Sequence, residues 1–414
     1  MKVLIVGGGA SGLMCASLLS QNGIDVTLFE KNEKLGKKLF ITGKGRCNVT
    51  NDCDTQTFFS NIVNNSKFMY SAINGFSPQD TIKFFEDNSL KLKVERGNRV
   101  FPQSDKSSDV IKCFEKVLSR NGADVRLNTA VKKILTEDDR AIGVIIDTGE
   151  QIFADCVVIA TGGISYQSTG STGDGYKWAK QLGHNVITPR PALVPILLKE
   201  DYGLQGLSLK NVTASVMRDN KGVCSQFGEM LFTHNGVSGP IILSLSSLIN
   251  KHYVDGKFDA KYKLAVDLKP ALTNEVLDNR LLREFSGKPN VEIKNAIQPL
   301  MPKALVAVVL QQSGISGKTA VNAITREQRE KLVNTIKNIE FTITGLENIN
   351  AGIITSGGVD CKQINPKTMM SKLIRNLHFI GEVLDVDALT GGFNLQLAFS
   401  TANQTCKSII DCNN

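Results

Sequence analysis

The chain has 414 residues, 42% hydrophobic and 21% charged, enough for two or three domains with sizeable cores. Nine scattered cysteines without a C-x-x-C pair, and only four histidines, argue against a disulfide framework and a structural zinc site and fit a reducing, cytoplasmic setting. The net charge of +8 fits plain solubility or an anionic partner, RNA or small molecule, and no apolar run is long enough to span a bilayer.

Residues 2–6 form an apolar run of the kind a buried parallel strand needs. Gly7, Gly9 and Gly12 follow in G-x-G-x-x-G spacing, with Ala10 and Ser11 between them. Residues 13–22 then read as a helix stopped by Gly23, and 24–29 as a second strand ending at Glu30. Strand, glycines, helix, strand and acid in that order are the dinucleotide fingerprint. Gly7 permits the tight turn, Gly9 lets a pyrophosphate approach, and Gly12 lets helix and strand pack closely. The helix N-terminus favours phosphate, and Glu30 accepts from ribose hydroxyls while repelling a 2′-phosphate. No signal peptide is expected ahead of this strand.

Residues 31–51 are a Gly- and Lys-rich loop. Lys31, Lys38, Lys44 and Arg46 are cations available to pyrophosphate, Gly43 and Gly45 permit close approach to a flat ring, and Asn48 is a further candidate contact. Residues 55–92 read as mostly helical, 94–102 as a strand-like turn and 109–121 as an amphipathic helix. Strands are expected at 124–127, 130–135 (with Val131 a candidate cofactor contact), 141–147 and 156–160. The last runs into Thr161-Gly162-Gly163, a second close-approach point. A glycine-rich turn at 169–175 opens a helix at 176–182.

From about Pro189 the texture changes. Residues 194–230 alternate in short segments with glycine turns, which reads as β structure and a small barrel. A turn at 231–240 leads to a helix at 241–250, with a strand at 263–268. Helices are expected at 275–285, 303–311 and 326–337, and strands at 341–354. Near the C-terminus a strand at 377–380 runs into Gly381-Glu382, then Asp385, Gly391-Gly392, Asn394 and Leu395, and a helix at 397–411. Strand, Gly-acid, Gly-Gly and helix is the FAD arrangement of doubly wound flavoproteins. The acid contacts the ribityl chain and the helix N-terminus faces the flavin. Only a long cofactor uses sites at both ends of a chain, so FAD is favoured over NAD.

The stretches at 7–12, 36–51, 231–240 and 381–396 resemble the bacterial BaiN/RdsA-type FAD-dependent oxidoreductases. The loop differs in detail, with Thr42-Gly-Lys-Gly45 where some relatives carry Ser-Gly-Gly-Gly. The resemblance implies an α/β fold with a discontinuous Rossmann-like FAD-binding domain (1–190 and 340–414). It also implies an inserted β-rich, barrel-like domain (191–270) and an inserted helical domain (271–339). It implies redox chemistry of three kinds: reduction of a 3-oxo-Δ4 or Δ6 bile acid, reduction of a ribosomal RNA uridine, or oxidation of aminoacetone. The first two are one reaction, hydride from flavin to an alkene conjugated to a carbonyl, plus a proton. The small anionic enone is favoured, because acids intersperse the cations of 273–337 and aromatic residues for base stacking are scarce there.

Candidate acids or polarisers are Cys47, whose neighbour Arg46 would lower a thiol's pKa, and His234, in a Gly/Ser-rich turn. A buried structural thiol and a turn histidine bonded to backbone are the competing readings. No second dinucleotide fingerprint follows, so a nicotinamide donor docks transiently at the flavin or another donor replaces it.

Overall fold

The computed structural model describes residues 1–413, and its contacts form two compact units, 1–192 with 349–413, and 193–348. The first is built on five parallel strands in the order Leu377–Phe379, Cys156–Ile159, Lys2–Val6, Asp25–Phe29, Asp124–Arg126. Val3, Leu4 and Ile5 are fully buried in the middle of this sheet, which explains their unbroken apolar run. Helix Ala10–Gln21 joins the first two strands and ends where the Gly23 amide, at φ +73°, donates to the Ser20 carbonyl. Helix Phe393–Asn413 packs on it, with the Cys15 and Cys406 sulfurs 3.6 Å apart. Thus the first and last helices of the chain share one buried core.

Helices Thr55–Ser60, Tyr70–Gly75 and Pro78–Asp87 fill the stretch expected to be helical, the last opened by a Ser77–Asp80 capping box. Strands Leu92–Glu95 and Arg99–Pro102 form the hairpin read as a strand-like turn. The chain leaves this unit along Val186–Ala192 and returns along Ile354–Val359. These two strands pair antiparallel, with Arg190 opposite Ser356 and Ala192 opposite Ile354.

The second unit is a closed barrel of strands Ile196–Leu198, Gly236–Ser238, Lys221–Phe232, Ser208–Arg218, Tyr262–Asp267 and Ile339–Leu346. The last strand pairs with both Tyr262–Asp267 and Ile196–Leu198 and so closes the ring. The boundary expected at 340 falls inside this strand. Helices Asn274–Phe285, Lys303–Ser313 and Arg326–Lys337 put Leu277, Leu281, Val309, Leu332 and Ile336 into the same apolar cluster as Val266 and Phe341 of the barrel. A boundary at 270/271 therefore divides elements that share a core. Among the described residues no single helix is long and apolar enough to cross a membrane.

Candidate cofactor site

The glycine turn is built by steric exclusion. Gly7 sits at φ +113°, and a Cβ there would lie 2.6 Å from the Ala160 carbonyl oxygen. A Cβ on Gly12 would lie 1.9 Å from the Gly7 carbonyl oxygen, so helix and strand touch backbone to backbone. Gly9 differs: nothing lies within 4 Å of the position its Cβ would take, and no side chain caps the helix it starts. The turn is crowded behind and open in front, where a phosphate needs the orphan N–H groups of Ala10, Ser11 and Gly12. Buried Glu30 is pinned by the turn it faces. One carboxylate oxygen accepts from the Gly8 amide at 2.9 Å, and the other from the Asn32 amide at 2.8 Å and its Nδ2 at 2.6 Å. The Thr129 amide donates to the Glu30 carbonyl, two residues before Val131 starts strand Val131–Glu137.

The C-terminal segment closes on the same place. Gly381 sits at φ +73°, and a Cβ there would be 2.5 Å from the Ser11 hydroxyl. Gly392, at φ +98°, leaves room for the Thr50 carbonyl, 2.3 Å from where its Cβ would be. Asn51 donates to the Gly391 carbonyl at 3.0 Å and Thr50 to Gln396 at 2.6 Å. Lys38 pairs with Glu382 at 2.6 Å and donates to Ser165 at 2.6 Å. The second Glu382 oxygen accepts from the Thr355 amide at 2.8 Å and the Ser165 hydroxyl at 3.1 Å. One cradle therefore gathers residues 7–12, 30, 38–51, 161–165, 355 and 381–396. Two buried oxygens in these stretches, Asn48 Oδ1 and Thr161 Oγ1, have no hydrogen-bond partner in the protein. Buried polar atoms are seldom left so, and both suit a polar ligand spanning the cradle. Bare glycine backbone at Gly9, an acid at the second strand and an acid at the C-terminal segment fit FAD.

Several candidates take other positions. Arg46 turns away from the cradle: it lies 4.1 Å over the Phe101 ring and pairs with Glu95 and Asp105. Cys47 is fully buried at φ +58°, and burial pushes its thiol up to about 12. The lowered thiol expected from a neighbouring cation is therefore absent: Cys47 is a thiol, not a thiolate, at neutral pH. Lys31 is held by Asp174 at 2.8 Å and Thr172 at 2.6 Å. Gly43 stands at φ +57° in a short left-handed turn with Lys44. Gly162 is left-handed at φ +70° beside Ser171. The Asn394 side chain folds back on the amide and carbonyl of Ala388, fixing the loop ahead of the helix, and half-buried Leu395 follows it. Asp385 accepts from Asn65 at 2.9 Å, and burial raises its pKa. His234 is exposed in a barrel turn of the other unit. Ser165, Thr355 and Asp387 were not singled out from sequence. Thr355 reaches the site from 190 residues beyond Ser165, and no local pattern marks such a contact.

A model of the HI0933-like protein Rossmann domain matches residues 1–408. The chain belongs to this family. Full-length relatives of this HI0933-like chain include the ribosomal RNA dihydrouridine synthase of Haemophilus influenzae, 30% identical over 98% of both chains. Another is the 3-dehydro-bile acid delta(4,6)-reductase of Clostridium scindens, 28% identical over 97% of both. Among solved structures, 3-ketosteroid delta1-dehydrogenase from Sterolibacterium denitrificans shares the fold at TM-score 0.53 and 12% identity, covering 99% of each chain.

Proposed function

We propose that this HI0933-like chain is an FAD-dependent oxidoreductase that reduces a carbon–carbon double bond conjugated to a carbonyl. The observation that carries this reading is the single cradle made by the two ends of the chain, with Gly381 against Ser11 and Lys38 on Glu382. Bound FAD supplies hydride-transfer chemistry, with a nicotinamide as electron donor. The chain supplies binding and orientation. With FAD bound, Gly9 and the helix after it would hold pyrophosphate, Glu30 would accept from ribose, and Glu382 would accept from the ribityl chain. With FAD bound, the N-terminus of helix Phe393–Asn413 would offer its positive end to the flavin. Two full-length relatives are named a ribosomal RNA dihydrouridine synthase and a 3-dehydro-bile acid delta(4,6)-reductase, names that denote reduction of a double bond, which supports the reaction class.

For the substrate we infer a small anionic enone of the 3-oxo-Δ4/Δ6 bile acid type. Several cations of the helical segment are paired with neighbouring acids: Arg329 with Asp278 at 2.6 Å, Lys337 with Asp267 at 2.7 Å, Arg326 with Glu330 and Lys331 with Glu327 at 2.9 Å. Paired cations make a poor track for a nucleic-acid backbone. The Haemophilus relative favours a second reading, a uridine of ribosomal RNA. The test is anaerobic reduction of the purified yellow protein followed by a panel of acceptors. Reoxidation by a 3-oxo-Δ4 bile acid, insensitive to salt, is expected. Reoxidation only by a ribosomal RNA fragment, steeply weakened by salt, moves the substrate to RNA. In a separate aerobic assay, hydrogen peroxide formed as aminoacetone is oxidised and dioxygen reduced, with no anaerobic reoxidation by either acceptor, overturns the reductase reading.

A further inference from the structure

The barrel leaves one long strand edge open. On one side, strand Lys221–Phe232 pairs with Ser208–Arg218 along its length, from Arg218 opposite Lys221 to Ser208 opposite Leu231. On the other side it meets only Gly236–Ser238, at Leu231 and Phe232. Over Lys221–Met230 this second edge takes no strand among the described residues. Side chains alternate along it. Cys224, Gln226 and Gly228 are half-buried, and a Cβ on Gly228 would lie 2.8 Å from Ile241 of helix Pro240–Ile249. Lys221, Val223, Ser225, Phe227 and Glu229 face solvent, with Phe227 60% and Val223 41% exposed. Residues 222–230 contain no Pro, Lys or Arg, the residues that usually blunt such an edge. Nearby Arg218 and Lys263 are paired with Asp259 and Glu340, whereas Lys221 and Glu229 pair with nothing among the described residues.

The exposed residues of this edge are complementary to themselves. Let a second copy of the strand run antiparallel beside it, with the two-fold axis at Ser225. Ser225 then faces Ser225 of the second copy, Val223 faces Phe227, and Lys221 faces Glu229, each of the last two pairs occurring twice. This is the isologous contact that two-fold symmetry requires. Residues directly opposite on one face of an antiparallel pair bring their Cβ atoms to about 4.5–5.5 Å. An aliphatic side chain therefore meets an aromatic one, a cation meets an anion, and no like charges are opposed. Moving the axis to Val223 or Phe227 leaves Glu229 without Lys221, so the charges select one register.

We propose that the edge Lys221–Glu229 is a dimerisation surface, on which two copies of this chain join antiparallel through their barrel sheets. Stable interfaces bury about 1,200–2,000 Å² in total, and a single strand edge gives less. The dimer is therefore reversible and forms with rising concentration. The surface lies wholly within 193–348, which holds none of the cradle residues, so it stands independently of FAD binding and of the reductase reading.

The experiment measures the mass of the full chain in solution by sedimentation from roughly 1 to 100 μM. The wild type should pass from monomer to dimer over that range. Glu229→Lys and Lys221→Glu each put like charges opposite one another at two symmetric positions, and each should weaken the dimer by roughly tenfold. The double exchange, Lys221→Glu with Glu229→Lys, should restore it. Both side chains are exposed, so all of these variants should melt as the wild type does. Register is read by cross-linking in a Cys412→Ser background, which removes the exposed thiol. Ser225→Cys should give a disulfide-linked dimer when diamide takes two electrons and two protons from the facing thiols, since opposed Cα atoms stand about 4.5–5.5 Å apart. Val223→Cys and Phe227→Cys should each fail to link alone and link with each other when mixed. A monomer at every concentration overturns the proposal and leaves the edge to a different partner. A dimer indifferent to Glu229→Lys, not restored by the double exchange, or not linked through Ser225→Cys uses another surface and overturns it equally.

Discussion

At the scale of single residues the nucleotide turn makes a paired prediction. Gly12 and Gly9 belong to one motif yet meet opposite surroundings. A Cβ at Gly12 would collide with backbone at 1.9 Å, whereas at Gly9 nothing lies within 4 Å. Gly12→Ala should therefore destabilise the fold by about 1–3 kcal/mol or more, seen as an earlier urea midpoint. Gly9→Ala should keep the midpoint within about 0.5 kcal/mol and lose FAD instead, because the methyl occupies the path of the pyrophosphate. Equal loss of stability in both would contradict the crowded-behind, open-in-front turn. Cys47 makes the opposite kind of prediction. Its thiol, buried and pushed up to about 12, should resist iodoacetamide in the native protein while exposed Cys412 is labelled, and Cys47→Ala should retain most of the reductase rate. Labelling of Cys47 with loss of activity would restore it as a site residue. The glycines were legible from sequence because their spacing encodes local backbone geometry. The fate of Cys47 was not, because its burial is set by tertiary packing, and its neighbour Arg46 turns to Glu95 and Asp105, 49 and 59 residues away.

At the scale of elements, strand Leu377–Phe379 shows how a buried titrating group sets acid tolerance. His378 is buried, with Nδ1 3.0 Å from the Thr368 carbonyl, and burial lowers its pKa from 6.5 to about 4. The folded chain keeps this ring neutral while the unfolded chain takes up a proton below 6.5. Stability from His378 is thus complete above 6.5 and lost as pH falls toward 4, by about 3 kcal/mol in all. Asp387, whose burial raises its carboxyl from 3.8 to about 6, works in the other direction over an overlapping range. His378→Gln should remove part of the acid loss, measured as a shallower fall of the urea midpoint between those pH values. An unchanged slope would show that the ring is hydrated in the native state. Sequence patterns did place this strand, the nucleotide helix and the Gly-Gly turn, each from its own residues. They did not show that Ile339–Leu346 closes the barrel, since its apolar alternation is equally good for any sheet. Pairing partners at Tyr262–Asp267 and Ile196–Leu198 decided its place.

At the scale of the whole molecule, the chain path separates cofactor binding from the rest. Every residue of the cradle lies in 1–192 or 349–413, and 193–348 is one uninterrupted insertion with its own apolar cluster. The two crossing strands run side by side, with Ala192 directly opposite Ile354, so the ends left by removing the insertion are neighbours across a ladder. Adjacent antiparallel strands need only a short turn, about 2–5 residues, to be joined. A chain in which a Gly-Asn-Gly turn replaces 193–348 should therefore fold, bind FAD and show the flavin spectrum, because the parallel sheet, both packing helices and the Lys38–Glu382 pair all remain. Flavin fluorescence titration and melting with and without FAD measure both. A shortened chain that melts cooperatively yet takes up no flavin would mean that the insertion supplies an essential part of the cofactor site. The glycine cradle would then be only half of what holds FAD.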